Sequence, residues 1–199
     1  MRWRSFVFLS ITFFMLLLDF SIVNVALPAM ENGLGMPQSQ AQWVISTYAI
    51  VLAGFLMLAG RCSDLYNRRT IFMTGLGLFT CASFVGGLAP SALVLIVMRA
   101  IQGLGAAIVT PSAMAILMDI FPGGDERNRV LGLWNTIGSA GIAAGVLVGG
   151  VLTQFLGWRS VFFVNVPVGI IILLATPFVI PKETRPRTRQ PLDITGALL

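Results

Sequence analysis

Residues 11–30 read ITFFMLLLDFSIVNVALPAM, an almost unbroken apolar run that carries one acid, Asp19, well inside it. About 20 such residues span the hydrocarbon core of a bilayer as a helix. A carboxylate at that depth is costly unless it faces protein or water, so the run reads as a membrane helix with a functional group in it.

The pattern recurs along the chain. Charges and turn signals at Leu27-Pro28, Ala89-Pro90-Ser91 and Phe121-Pro122-Gly123-Gly124 divide the sequence into six spans. These are predicted near Phe6–Pro28, Ala41–Ala59, Thr70–Leu88, Ala92–Met118, Val130–Phe155 and Val161–Ile180. Composition agrees: 56% hydrophobic residues, 11% charged residues and a mean hydropathy of +0.88 leave too few charges to cover a soluble surface. The alternative reading of the first span is a secretory signal, since Arg2 and Arg4 precede it, but the apolar region is long and runs on past Asp19 and Asn24.

Three segments follow: a six-helix membrane unit over residues 1–181, a basic proline-punctuated linker over 182–191, and the start of a truncated seventh span over 192–199. Eleven of the 13 Lys and Arg residues fall in the segments on one side of this arrangement; the exceptions are Arg159 in an opposite loop and Arg99 inside a span. Positive charge collects on the cytoplasmic side, which places both termini in the cytoplasm and the chain in the cell (inner) membrane. The net charge of +5 thus belongs to topology. A nucleic-acid partner would need a basic soluble face with interleaved aromatics, which the sequence lacks.

Enzyme chemistry has little to stand on. The sequence contains no histidine and no second intramembrane carboxylate beside Asp19, so no catalytic residue is assigned. Cys62 and Cys81 have no metal-ligand spacing, and neither a metal nor a cofactor is expected. No G-x-x-x-x-G-K-[S/T] loop occurs, so the chain is not expected to be a nucleotide-powered pump. Without imidazole, proton chemistry inside the membrane falls to a carboxylate or a charge pair.

Two intramembrane charges, Asp19 and Arg99, are the first candidates. With the first span leaving the membrane near Pro28 and the fourth entering near Ala92, they lie roughly 14 and 11 Å below the same surface, at about 1.5 Å per residue. They are expected to pair, with Asp19 the group that would carry a proton. The blander alternative is that each reaches the interface by snorkelling. On the fourth span Gln102, Gly103, Ala106 and Thr110 share a face with Arg99, and with Asn24 they are expected to line a water-filled cavity; tight helix packing is the competing reading. On the fifth span Gly141, Gly145 and Gly149, with Gly150 alongside, form a small-residue seam suited to packing or to a hinge.

The loop Gly60-Arg-Cys-Ser-Asp64-Leu-Tyr-Asn-Arg68-Arg69 resembles the signature of the major facilitator superfamily, in Gly60, Asp64, Arg68 and Arg69; Leu65 and Asn67 differ from it. Leu18-Asp19-Phe-Ser-Ile-Val-Asn24-Val-Ala-Leu-Pro28, Arg99-Ala-Ile-Gln102-Gly103-Leu-Gly105, and Trp158-Arg159 with Asn165-Val-Pro167-Val-Gly169 are similar to segments of its fourteen-span drug:proton antiporter branch. The glycines of the fifth span resemble the antiporter motif, with Val146 in place of a proline.

The resemblance implies an all-α membrane fold, of which this chain is the N-terminal half, built as two three-helix repeats. It implies proton-coupled export of drug-like or cationic amphipathic molecules, with a gating role for Gly60, Asp64, Arg68 and Arg69. The expected partners are membrane lipid, protons, a small-molecule substrate and a second six-helix half, without which this half is inactive. A non-transporting truncated fragment and a solute importer of the same superfamily are the alternatives.

Overall fold

The computed structural model describes residues 2–180, which form seven helices and no strand. The linker at 182–191 and the seventh-span start at 192–199 lie outside the described residues. The helices are α1 (Arg2–Leu34), α2 (Gln38–Leu65), α3 (Arg68–Gly87), α4 (Ala92–Ile120), α5 (Gly124–Leu156), α6 (Ser160–Phe163) and α7 (Asn165–Val179). The last two continue one another through a turn at Val164, giving six helices long and apolar enough to cross a membrane.

Local sequence sets the breaks. Asn67 caps α3 by accepting from the Thr70 amide at 3.1 Å, and Ser91 sits at the same position of α4. Gly35 and Gly157, at φ +61° and +81°, take the left-handed conformation that turns the chain out of α1 and α5. One predicted boundary is wrong: Leu27-Pro28 does not end the first helix, which runs on to Leu34. A proline removes one backbone bond, and a long membrane helix packed on both sides tolerates that loss. The membrane depth inferred for Asp19 from Pro28 is therefore a lower bound on its distance from the helix end.

The packing follows two-fold logic. α1 lies along α5, and α2 along α4, with α3 against α4 and α7. Exchange of the first three helices with the last three turns the α1–α5 pair into the α4–α2 pair, as two three-helix repeats require. At one end of the bundle Trp3 meets Phe121 with ring centroids 5.8 Å apart, and Arg69 donates to the Ile180 carbonyl at 3.3 Å. At the other, Arg159 stacks on Trp158 at 4.3 Å and donates to the Ala89 carbonyl at 3.0 Å. The basic segments at the N-terminus, after α2 and after α4 thus share one end of the bundle.

The glycine seam is an α1–α5 contact. A Cβ built on Gly141 would lie 2.8 Å from the Phe14 carbonyl, and one on Gly149 2.9 Å from an Ile22 side-chain carbon. Gly145 faces Leu18 and Ser21, whose hydroxyl donates to the Ile142 carbonyl at 2.8 Å. Gly138 belongs to the same stripe, against Phe13 and Leu17. Gly150 does not: no described residue lies within 4 Å of its Cβ position, because it points a full helical step away from α1.

Candidate functional site

Five helices converge on the carboxylate of Asp19. From α4, one turn apart on a single face, come Arg99 and Gln102; from α7 comes Asn165, its first residue; from α3, Ser83; from α2, Tyr48 and the Val44 carbonyl. Every side chain in this set is 2% exposed or less, so the cluster is closed from its surroundings.

The geometry is that of a satisfied buried ion pair. Arg99 Nη1 donates to Asp19 Oδ2 at 2.7 Å and to Gln102 Oε1 at 3.1 Å, while its Nε donates to the Val44 carbonyl at 3.1 Å. Its guanidinium stands 4.2 Å from the centroid of the Tyr48 ring. Asp19 Oδ1 accepts from Asn165 Nδ2 at 2.6 Å and from Gln102 Nε2 at 3.3 Å, and Gln102 Nε2 also donates to the Ser83 hydroxyl at 2.6 Å. Removal of two charges from water is costly, and the attraction between them repays it only where other hydrogen bonds complete the site. Here they do, on both partners. The arrangement is a buried carboxylate whose charge balance depends on one arginine and two amides.

The chain places its other candidates more variously. Gly103 and Ala106 are buried beside the pair; a Cβ on Gly103 would meet the Tyr48 carbonyl at 2.6 Å, so this part of the α4 face packs on α2 and offers no wall to an open cavity. Gln102 is likewise enclosed, as a member of the network. Thr110 is half-buried with its hydroxyl turned back to the Ala106 carbonyl at 2.8 Å. Asn24 alone is exposed, and its Nδ2 donates to the Phe20 carbonyl at 2.8 Å.

At the basic end, Arg68 joins two helix ends. Its guanidinium pairs with Asp64 at 3.6 Å, makes a close ion pair with Asp119 and donates to the Ala115 carbonyl at 3.0 Å. It thereby ties the α2–α3 turn to the last turns of α4. Arg69 reaches the end of α7, and Gly60 lies 3.8 Å from the Pro111 side chain, measured from its Cβ position.

Sequence reading left Asn165, Ser83, Tyr48 and Asp119 without a role. For Asn165 and Asp119 a signal existed, a polar amide opening the last apolar run and an acid ending another. Ser83 and Tyr48 are residue types common in any membrane helix, and only the fold marks them.

The sequence model of the Major Facilitator Superfamily matches residues 9–195. Among curated relatives, the cephamycin export protein CmcT of Amycolatopsis lactamdurans is 42% identical over 187 residues, covering 94% of this chain and 38% of that protein. The multidrug resistance protein Stp of Mycobacterium tuberculosis is 40% identical, covering 94% and 34%, and the puromycin resistance protein of Streptomyces alboniger 37% identical, covering 100% and 39%. The chain thus spans little more than a third of the length of these relatives. Among solved structures, a bacterial homologue of the human lysosomal transporter Spinster, inward-facing and unoccupied, superposes with a TM-score of 0.79 at 22% identity, over 98% of this chain and 46% of that one. That likeness concerns the fold.

Proposed function

The chain belongs to the Major Facilitator Superfamily, and on that premise we propose that it forms the N-terminal six-helix half of a proton-coupled exporter of drug-like, cationic amphipathic compounds. The observation that carries the reading is the buried Asp19, held by Arg99, Gln102 and Asn165 at the meeting of five helices. An intramembrane carboxylate costs stability, and a chain that keeps one fully enclosed with a matched counter-charge has a site where gain or loss of one proton changes the whole electrostatic balance. The export direction and the drug-like substrate class are drawn from the named relatives, and the fourteen-span branch fits them. Asp19 is the point at which proton and cationic substrate exclude one another.

Both termini lie in the cytoplasm, because the basic segments share one end of the bundle. Arg68, with Asp64 and Asp119, stabilises the arrangement closed at that end. A second six-helix half completes the substrate pathway, and alternating access arises from rocking of the two halves. Residues 1–199 alone insert without transporting, because the pathway lies between halves.

The test is pH-gradient-driven movement of a lipophilic cation in liposomes, comparing the complete natural polypeptide with residues 1–199. Gradient-dependent transport by the first and none by the second is the expected result. Transport by residues 1–199 alone refutes the half-pathway reading, and accumulation that follows the substrate gradient irrespective of pH favours a solute carrier of another kind.

A further inference from the structure

The network around Asp19 leaves one atom over. Asn165 is 1% exposed, its Nδ2 lies 2.6 Å from Asp19 Oδ1, and its own buried Oδ1 finds no hydrogen-bond partner among the described residues. Buried amide oxygens are normally paired, so the exception calls for a reason.

A carboxylate only accepts. While Asp19 is ionised, the amide must present nitrogen to it, which is the arrangement observed. A protonated Asp19 has an O–H to donate and needs an acceptor at the same place. A half-turn of the Asn165 side-chain amide puts one there, since that terminal torsion is broad and two-fold. The other neighbours cannot make the exchange. Arg99 has donors only. Gln102 is pinned at both ends, its Nε2 on Asp19 and Ser83 and its Oε1 on Arg99. Among the described residues the ionisable groups facing Asp19 are Arg99 from α4 and Tyr48 from α2. α3 brings Ser83, α5 brings its glycine seam, and α6 and α7 carry no charge.

We propose that Asn165 is a positioning residue that reads the protonation state of Asp19, nitrogen inward when the carboxylate is ionised and oxygen inward when it carries a proton. The inference rests on the reading of Asp19 as the proton-carrying group. The proton is delivered by hydronium through water admitted to the site: its O–H bond breaks as the Asp19 Oδ1–H bond forms, neutral water leaves, and Asn165 neither gains nor loses a proton. Because Asn165 is the first residue of α7, at the break with α6, the change is felt where the last span is interrupted.

The test uses the complete polypeptide in liposomes, ethidium as the transported cation, and the variants Asn165→Leu, Asn165→Thr and Asp19→Asn. Leucine has neither donor nor acceptor, whereas the threonine hydroxyl rotates and supplies both. Asn165→Leu is expected to lower pH-driven ethidium transport on the order of tenfold while downhill movement persists, and Asn165→Thr to recover most of it. Infrared difference spectra of protein with isotope-labelled asparagine should show a side-chain carbonyl band that moves on acidification, and that is lost in Asn165→Thr and still in Asp19→Asn. This reading on wild-type protein serves even where Asn165→Leu does not insert. Equal loss in Asn165→Leu and Asn165→Thr with no moving asparagine band overturns the inference. So does wild-type behaviour of both variants while Asp19→Asn is uncoupled, which leaves the role of Asp19 standing. Full pH-driven transport by Asp19→Asn removes the reading beneath it and the inference with it.

Discussion

Gly145→Ala adds a single methyl group at the tightest point of the α1–α5 seam. The new Cβ would lie 2.7 Å from the Leu18 carbonyl and 3.2 Å from the Ile22 amide, and would strike the Ser21 hydroxyl. The hydroxyl can swing away, at the cost of its bond to the Ile142 carbonyl, but the carbonyl of α1 is backbone and cannot. Relief to an ordinary contact of 3.4 Å requires α1 and α5 to part by about 0.7 Å. Overpacking of this kind costs about 1–3 kcal/mol, against which alanine returns up to about 1 kcal/mol in helix propensity. The net expectation is a loss of about 1–2 kcal/mol. Gly150→Ala is the control: its Cβ meets no described residue within 4 Å, so helix propensity is the main effect and the change is neutral or stabilising. Both variants are purified in detergent, heated, and assayed by size exclusion for the fraction remaining monodisperse. Gly145→Ala should lose that state at a temperature a few degrees below wild type, and Gly150→Ala at or above it. The same midpoint for both would refute a seam set by glycine contact.

Two further substitutions address the charged groups. Asp119→Asn removes the close partner of Arg68, whereas Asp64→Asn removes one at 3.6 Å, and both carboxylates are more than half exposed, which limits each pair to about 0–1 kcal/mol. Thiol labelling of Cys62 beside this turn should rise in both and more in Asp119→Asn; the reverse order would dismiss the α4 end as the main anchor. Arg99→Lys keeps a positive charge near Asp19 but gives up the Nε bond to Val44 and the planar stack on Tyr48. It should insert normally, melt lower than wild type and transport on the order of tenfold more slowly under a pH gradient; wild-type values on both counts would mean that charge alone suffices at this position.

Much of this was legible in the sequence because membrane helices announce themselves by composition and because an intramembrane charge is too costly to be incidental. Span number and the identity of the Asp19 and Arg99 partners follow from those two facts. The seam glycines were legible for the same reason, since spacing by three and four keeps one helix face; Gly150 fell outside it because adjacency in sequence puts a residue on a different face. Pro28 misled, as proline punctuates soluble helices more strongly than membrane ones. The stripe of Gln102, Gly103 and Ala106 was ambiguous by nature, because small and polar residues suit both a wet cavity and a dry helix contact; the Tyr48 backbone lying against Gly103 could not be foreseen from spacing. Asn165 and Ser83 could not be joined to Asp19 from sequence, because which faces of α3 and α7 meet α1 and α4 depends on helix rotation in the bundle.

The central claim, that Asp19 exchanges a proton for a cationic substrate, is tested most directly by proton release on substrate addition. The complete polypeptide is held in weakly buffered detergent solution with a pH indicator, and ethidium is added. The account predicts a burst of protons from wild type that saturates with substrate, and no burst from Asp19→Asn although the variant remains folded. An undiminished burst from Asp19→Asn would contradict it, because the proton would then come from elsewhere.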